Sequence, residues 1–150
     1  LNDKVIELFI QVITENISKK NNCNIAISGG STPIPIFKKI ANNYATFVDW
    51  TKVKVFWVDE RSVPPSHPDS NFGNANQSLL KFLQGIQFFR MKGEIDTQDA
   101  ATEYQEILKS ELPISEGFPV FDLMLMGMGE DGHTASLFPG TRILYEKKNP

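Results

Sequence analysis

The sequence predicts an α/β protein whose mostly parallel sheet is flanked by helices on both faces. Short apolar runs that are typical of buried strands alternate along the chain with stretches in which apolar residues recur at helical spacing. Three of these runs end in clusters of glycine or charged residues, at the position where strands of such sheets carry ligand sites. No repeat, low-complexity segment or long linker divides the 150 residues, so we expect one domain.

The first half of the chain contains two predicted helices and two predicted strands. Apolar residues that recur every three or four positions predict a helix over residues 3–19. A strand over 24–27 leads through a Gly-Gly turn to a helix that includes residues 36–41, with Thr32 as its expected N-cap. β-branched and aromatic residues then predict a buried strand over 53–58.

The second half begins with a loop and then continues the alternation of helix and strand. Prolines exclude a helix or a central strand from the loop. The last strand contains an apolar run, residues 123–126, of the length that a fully buried strand has. The predicted segments are a loop over 63–70, a helix over 71–83, a strand over 86–91, a helix from a cap at Asp96 or Thr97 to about Leu112, a strand over 120–126 and the first turn of a short helix over 134–137.

The composition argues against several classes of protein. The net charge of −3 does not suit a protein whose main partner is nucleic acid, and no apolar run approaches the roughly 18 residues of a membrane span. The single cysteine, Cys23, cannot form an internal disulfide, so we expect a reducing, cytosolic compartment. The chain begins with Leu1 and ends soon after a strand and turn that suit the middle of a domain, so we expect an excerpt of a longer polypeptide.

Three predicted strands end in polar clusters, which cover residues 28–32, 59–61 and 130–133. The carboxyl ends of parallel strands lie at one edge of their sheet, and open α/β sheets bind ligands there. We therefore expect the three clusters to meet in one site, although they are far apart in the sequence.

The first cluster has the sequence SGGST at residues 28–32. Gly29 and Gly30 allow positive φ and a close approach of the backbone to a ligand, and the free N–H groups of the following helix favour an anion. Ser31 and Thr32 add hydroxyl donors. The pattern matches neither a Walker loop nor the GxGxxG fingerprint, so we expect a phosphate or carboxylate rather than a nucleotide. An ordinary glycine turn is the alternative.

The second cluster contains Arg61 directly after two acidic residues. A guanidinium group can bind a phosphate through two parallel hydrogen bonds, and Asp59 or Glu60 could fix its orientation. The alternative is a partly exposed ion pair, which would contribute little energy.

The third cluster contains His133, the candidate for proton transfer. Histidine exchanges protons near neutral pH, and Asp131 is close enough in the turn to influence its tautomer or charge. The alternative is a tight turn whose polar groups only satisfy each other. We expect His67 in an exposed loop and Cys23 in the core, so a zinc site is not expected. Ser136 does not lie in a nucleophile elbow, which argues against a serine hydrolase.

Three motifs of the chain resemble those of the 6-phosphogluconolactonase family, in the same order. They are SGGSTP at residues 28–33, VDERSVPPSHPDSN at 58–71 and GMGEDGHTASLFPG at 127–140. The wider superfamily of sugar-phosphate isomerases and deaminases has similar motifs. Its glucosamine-6-phosphate deaminase branch usually continues the last turn with a segment that contains a catalytic acid, where this chain has TASLF at 134–138. The resemblance implies a Rossmann-like fold of the glucosamine-6-phosphate deaminase and ribose-5-phosphate isomerase type.

The resemblance implies hydrolysis of 6-phosphoglucono-1,5-lactone to 6-phosphogluconate in the oxidative pentose phosphate pathway, with no metal or organic cofactor. It implies His133 as the base that activates water and Asp131 as the residue that orients His133. Arg61 would hold the phosphate together with the loop after the first strand, and Asp59 would support Arg61 or contact sugar hydroxyls. The loop residues that would supply donors are Gly29, Gly30, Ser31 and Thr32.

The resemblance also bears on the extent of the chain and on its partners. Members of the family continue well beyond the last motif, so we expect residues 1–150 to form a single lactonase-like α/β domain that lacks its C-terminal third. In some parasites such lactonases are fused to glucose-6-phosphate dehydrogenase. Fusion to or association with that enzyme is therefore a partnership that the resemblance implies.

Two other functions stay open at this point. An isomerase or deaminase on the same fold would act on an amino sugar phosphate and release ammonia, whereas a lactonase releases acid only. A non-catalytic sugar-phosphate binding module would bind phosphosugars with or without His133.

Overall fold

The structure is a computed structural model and describes residues 2–147. Within these residues, helices and strands alternate through most of the chain. The helices are α1 (Asn2–Lys20), α2 (Pro33–Tyr44), α3 (Asn71–Ser78) and α4 (Thr97–Glu111), and the strands are β1 (Cys23–Ile27), β2 (Val53–Trp57), β3 (Gln87–Phe89), β4 (Ile114–Ser115), β5 (Phe118–Pro119) and β6 (Leu123–Leu125). Short 3-10 helices cover Trp50–Lys52, Leu80–Phe82 and Arg142–Tyr145.

The central sheet has the strand order β3-β2-β1-β6, and its strands pair in parallel. In the register of β1, Cys23 lies opposite Val53 of β2, and Ile25 lies opposite Leu123 of β6. The chain moves outward from β1 to β3 and then returns to the other side of β1, so its direction reverses between β1 and β6. Ligands of open α/β sheets bind at such a reversal, outside the carboxyl ends of the strands.

Helices cover both faces of the sheet, but unequally. Side chains alternate between the two faces along each strand. Ile25 and Val55 belong to the larger core, to which α1, α2 and α3 contribute. Ala26 and Phe56 belong to a smaller core with Leu112, which directly follows α4. The predicted α/β class, with a parallel sheet and helices on both faces, is therefore confirmed.

Helix α1 covers the sheet through one apolar stripe. Its buried residues are Ile6, Phe9, Ile10 and Ile13, which recur at helical spacing, and full burial of such side chains contributes about 1.5–3 kcal/mol each. The predicted bounds, 3–19, are correct to within one residue at each end. Within residues 2–147, no helix combines the length and the apolar character that a membrane span requires.

Three predicted details of these elements are wrong. The helix expected over 71–83 ends at Ser78 and is followed by a 3-10 helix. The run 123–126 is not fully buried, because β6 lies at the edge of the sheet and Met124 is 45% exposed. Thr32 makes no side-chain capping bond, since its helical backbone (φ −61°, ψ −45°) differs from the extended backbone of a typical N-cap.

Residues 134–137 form a hairpin turn instead of the expected first turn of a helix. Thr134 and Leu137 pair as an antiparallel bridge. Ala135 and Ser136, between them, have φ values of 52° and 60°. Two successive left-handed residues are the pattern of a type I′ turn, which joins antiparallel strands. The structure also contains an antiparallel hairpin of β4 and β5 that was not predicted from the sequence.

Candidate active site

A cavity of about 280 Å³ lies at the carboxyl ends of β1, β2 and β6. The clusters that follow these strands all contribute to its wall, so the predicted convergence of the three clusters is confirmed. The polar and glycine residues of the wall include Ser28, Gly29, Gly30, Thr32, Asp59, Arg61, Asn71, Gly127, Gly129, His133, Thr134 and Ser136.

The loop after β1 forms one side of the cavity. Gly30 has a φ of 90°, in agreement with the predicted left-handed backbone. Gly29 lies against the side chain of Asn71, because a Cβ atom at position 29 would lie 1.8 Å from Asn71 Oδ1. Glycine at this position lets the loop pack against the start of α3. The loop leads into α2, and the N-terminus of a helix favours an anion.

Glu60 organises the loop between β2 and α3. Its carboxylate accepts the backbone N–H groups of Arg61 and Asn71, both at 2.7 Å, and that of Phe72 at 2.9 Å. The hydroxyl group of Ser70 donates to the same carboxylate at 3.2 Å. A negative charge at the first turn of α3 also interacts favourably with the helix dipole. Glu60 thus holds the backbone that carries Arg61.

Asp59 and Arg61 do not form the pair that the sequence suggested. Asp59 Oδ1 accepts from Asn71 Nδ2 at 3.2 Å, and Asp59 Oδ2 accepts from Ser136 Oγ at 2.5 Å. The Arg61 side chain is exposed and makes no hydrogen bond or ion pair within residues 2–147. The expectation that Asp59 or Glu60 orients the guanidinium group is therefore wrong, because both acids are engaged elsewhere. Arg61 lines the cavity with its donors free.

His133 and Asp131 form the predicted contact. Nδ1 of His133 lies 2.5 Å from Oδ1 of Asp131, and the same oxygen accepts the His133 backbone N–H at 3.2 Å. These hydrogen bonds from His133 hold the pKa of Asp131 below its usual range. A carboxylate at Nδ1 favours the tautomer with the proton on Nδ1 and a lone pair on Nε2. That tautomer can accept a proton at Nε2.

The imidazole ring of His133 is held between a glycine and an aromatic ring. Gly129 donates its N–H to the His133 carbonyl oxygen at 2.8 Å, and a Cβ at Gly129 would lie 2.2 Å from His133 Cε1. On the ring itself, Phe138 stacks with a centroid distance of 4.4 Å and an interplanar angle of 28°. Such contacts restrict the ring to one orientation.

Two of the predicted site residues do not line the cavity. Ser31 is exposed and is absent from its wall. Asp131 is also absent from the wall, and its side chain is 55% exposed, so it acts on the cavity only through His133. The predicted residues that do line the cavity are Gly29, Gly30, Thr32, Asp59, Arg61 and His133.

Asn71, Ser136 and Phe138 contribute to the site although no role was predicted for them from the sequence. Asn71 is the last residue of the second motif and directly follows the proline-rich loop. This position is the sequence feature that could have identified it as a site residue. Ser136 and Phe138 lie in the third motif, but the expected helix would have directed their side chains differently. Their contacts depend on the hairpin turn that replaces this helix.

The remaining candidates have the expected surroundings. Cys23 is fully buried in β1. His67 lies in an exposed loop, where its Nδ1 is 3.7 Å from Oδ2 of Asp69. Within residues 2–147, no group of three or more His, Cys, Asp or Glu side chains is arranged to hold a metal ion.

Known proteins resemble this chain in sequence and in structure. The 6-phosphogluconolactonase of Treponema pallidum is 37% identical over 137 residues, which cover 90% of this chain and 57% of the relative. The probable 6-phosphogluconolactonase 3, chloroplastic, of Oryza sativa subsp. indica is 40% identical over 141 residues, which cover 88% of this chain and 43% of the relative. The structure of 6-phosphogluconolactonase from Trypanosoma brucei is similar with a TM-score of 0.87 at 30% identity, and the match covers 99% of this chain and 63% of that one.

These relatives are longer than the chain, which spans about half the length of the curated relatives it matches. The family match, by contrast, includes every residue from 1 to 150, and the family is described as Glucosamine-6-phosphate isomerases/6-phosphogluconolactonase. The chain therefore belongs to the family of glucosamine-6-phosphate isomerases and 6-phosphogluconolactonases.

Proposed function

We propose that the protein hydrolyses 6-phosphoglucono-1,5-lactone to 6-phosphogluconate, a step of the oxidative pentose phosphate pathway. The observation that carries the proposal is the His133–Asp131 contact of 2.5 Å at a cavity that Arg61 also lines. The imidazole of His133 can therefore exchange protons, while the unpaired guanidinium group of Arg61 is available for a phosphate. A lactone ester is already reactive, so positioning and one base are sufficient catalytic devices.

The phosphate group would bind at Arg61 and at the loop that ends in α2. The exposed guanidinium group has free donors that suit two phosphate oxygens. Gly29, Gly30 and Thr32 line the cavity beside it, and the N-terminus of α2 would add backbone N–H groups. Ser31 would contribute from outside the cavity wall, through its place in the loop.

The proton transfers would pass through His133 Nε2. A water molecule attacks the lactone carbonyl carbon while Nε2 takes one of its protons. The tetrahedral intermediate then collapses, the bond from this carbon to the ring oxygen breaks, and the ring oxygen takes the proton from Nε2. Asp131, kept ionised by its hydrogen bonds to His133, would stabilise the imidazolium form between the two transfers. Asp59 would accept hydrogen bonds from sugar hydroxyl groups.

The test is acid release from freshly prepared 6-phosphogluconolactone, measured above its spontaneous hydrolysis. The 150-residue chain and the full-length product of its gene are assayed, each as the wild type, as His133→Ala and as the matched control His67→Ala. We expect the wild type and His67→Ala to accelerate hydrolysis of the lactone, and His133→Ala to lose this acceleration. Ammonia release from glucosamine 6-phosphate would instead support the isomerase or deaminase. Binding of 6-phosphogluconate without any turnover would support the non-catalytic module.

Three further proposals concern the whole protein. If the full-length protein is active and the 150-residue chain is not, this result would support the proposal that residues 1–150 form a domain that lacks its C-terminal third. A glucose-6-phosphate dehydrogenase domain or partner is proposed because that enzyme class produces the lactone, and copurification from the native source tests it. The cytosolic location expected from the single cysteine is tested by imaging the full-length protein.

A further inference from the structure

The third motif is tied to the end of β2 by a hydrogen bond between residues 77 positions apart in the sequence. Ser136 Oγ donates to Asp59 Oδ2 at 2.5 Å. Both residues line the cavity to which His133 also contributes. A hydrogen bond to a charged acceptor contributes more than a neutral one.

The backbone of Ser136 is in a conformation that a serine rarely adopts. Its φ of 60° and the φ of 52° at Ala135 are left-handed, which is unfavourable for residues other than glycine. Such conformations persist when the surrounding structure holds them. The Leu137 N–H donates to the Thr134 carbonyl oxygen at 2.7 Å and closes the turn. The bond to Asp59 then fixes the closed turn relative to β2.

Asp59 is itself a fixed anchor. Asn71 donates from Nδ2 to the Asp59 carbonyl oxygen at 3.0 Å and to Oδ1 at 3.2 Å. Asn71 is only 3% exposed and lies against Gly29. The carboxylate of Asp59 is therefore held on one oxygen by α3 and offers the other to Ser136.

The turn also connects directly to His133. Thr134 Oγ1 donates to the Gly127 carbonyl oxygen at 2.8 Å, and the Gly129 N–H donates to the His133 carbonyl oxygen at 2.8 Å. These bonds join the two ends of the loop that contains the imidazole. The Ser136–Asp59 bond joins that loop to the strand that precedes Arg61.

We propose that Ser136 is a positioning residue, which sets the place of the His133 imidazole relative to the substrate held at Arg61 by binding Asp59. The proposal rests on the proposed lactonase function for its kinetic consequences. It assigns no proton transfer to Ser136. Loss of the hydroxyl should therefore lower kcat, while KM stays near its wild-type value because the phosphate contacts are kept.

The test compares four variants of the full-length protein. Ser136→Ala removes the hydroxyl, Ser136→Gly removes it and also relieves the left-handed backbone, and Ser136→Asn keeps a hydrogen-bond donor on a residue that tolerates this backbone. Ser110→Ala is the matched control, because the Ser110 hydroxyl is exposed and donates only to a carbonyl oxygen of its own helix at 3.1 Å. We expect kcat to fall about tenfold in both the Ala and the Gly variants, with KM changed less than twofold. Ser136→Asn should restore part of kcat, and Ser110→Ala should retain all of it.

Amide hydrogen exchange separates this proposal from the proposed function. We expect faster exchange over residues 133–137 in Ser136→Ala and Ser136→Gly, and exchange closer to that of the wild type in Ser136→Asn. Exchange is measurable without activity, so a protein that fails to hydrolyse the lactone still tests the tie between Ser136 and Asp59. Unchanged exchange would overturn the proposal. Full kcat in both hydroxyl-free variants would also overturn the proposal. Full kcat in Ser136→Gly but not in Ser136→Ala would overturn it too, because the loss in Ser136→Ala would then come from backbone strain.

Discussion

The Nδ1 atom of His133 lies 2.5 Å from Oδ1 of Asp131, two residues earlier in the same loop. The aspartate oxygen also accepts the backbone N–H of His133, so one carboxylate holds both the ring and the backbone of the histidine. The side chain of His133 is 34% exposed. Its ring remains accessible from the cavity, while the contact of Nδ1 with Asp131 sets its tautomer.

This contact predicts unequal effects of two substitutions on the proposed lactone hydrolysis. His133→Ala should lower kcat by about 10²–10⁴, the usual contribution of a general base. Asp131→Asn keeps the shape of the side chain but loses the charge, and should lower kcat by roughly tenfold or more. Steady-state kinetics of the full-length protein measure both, with His67→Ala as the control. An Asp131→Asn variant with unchanged kcat would contradict the orienting role of Asp131.

Gly129 is predicted to be required at the site because of space. A Cβ at this position would lie 2.2 Å from Cε1 and 2.3 Å from Nδ1 of His133, so Gly129→Ala must displace the imidazole. We expect kcat to fall at least tenfold in this variant, together with a changed His133 ring signal in NMR spectra. Gly117→Ala, at a φ of 88° in the β4–β5 hairpin, is the control. It should lose about 1 kcal/mol of stability and retain kcat, and equal losses of kcat in both variants would contradict the prediction.

Tyr104 of α4 should stabilise the end of β2. Its buried hydroxyl accepts the Trp57 N–H at 2.8 Å and donates to the Trp57 carbonyl oxygen at 2.9 Å. Tyr104→Phe leaves both backbone groups without this partner, so we expect a loss of about 1–3 kcal/mol in the free energy of unfolding. Urea denaturation measures it, and Tyr44→Phe is the control, because no hydrogen bond of that hydroxyl is found within residues 2–147. Equal stability of the two variants would refute the prediction.

Cys23 should be unreactive in the folded protein. Burial, with a smaller contribution from the charge of Asp122, raises the pKa of its thiol to about 12, and the residue has no exposed surface. The reactive thiolate is therefore scarce at pH 8. Alkylation by iodoacetamide, followed by mass spectrometry, should be at least tenfold slower in the native protein than in urea. Equal rates would mean that the thiol is not enclosed by the sheet.

The Arg90–Glu94 ion pair should make stability depend on pH in a defined range. Its hydrogen bonds, at 2.9 Å and 2.5 Å, lower the pKa of Glu94 to about 2 from an ordinary value of 4.5. A lowered pKa means that the carboxylate contribution is complete above the unfolded value and is lost as the pH falls toward about 2. The stability difference between wild type and Glu94→Gln should therefore be constant near neutral pH.

That difference should shrink progressively below pH 4.5. Chemical denaturation at a series of pH values measures it, with Glu106→Gln as the control, because Glu106 lies on the exposed side of α4 and pairs with Lys109 at 3.5 Å. A difference that does not change with pH would show that the Arg90–Glu94 contact is unimportant for folding.

The class of the fold and the location of the candidate site could be predicted from sequence patterns alone. Apolar periodicity reports burial directly, because a helix repeats every 3.6 residues and a strand every two. Parallel topology then requires the carboxyl ends of β1, β2 and β6 to lie at one edge, which is why three separated clusters could be expected to meet. The contact between Asp131 and His133 could also be predicted, because residues two positions apart in a turn are neighbours regardless of the path of the rest of the chain.

The connections between the clusters could not be predicted, because they depend on tertiary contacts. Local preference favours a helical turn at residues 134–137, because Ala135 and Ser136 seldom adopt positive φ. The structure has a hairpin turn there, and Ser136 donates a hydrogen bond from this turn to Asp59. The contact of Gly29 with Asn71 and the exposure of the edge strand β6 likewise depend on partners that lie far away in the sequence. Sequence patterns reveal which residues are buried or conformationally free, whereas the pairing of distant polar groups follows from the path of the whole chain.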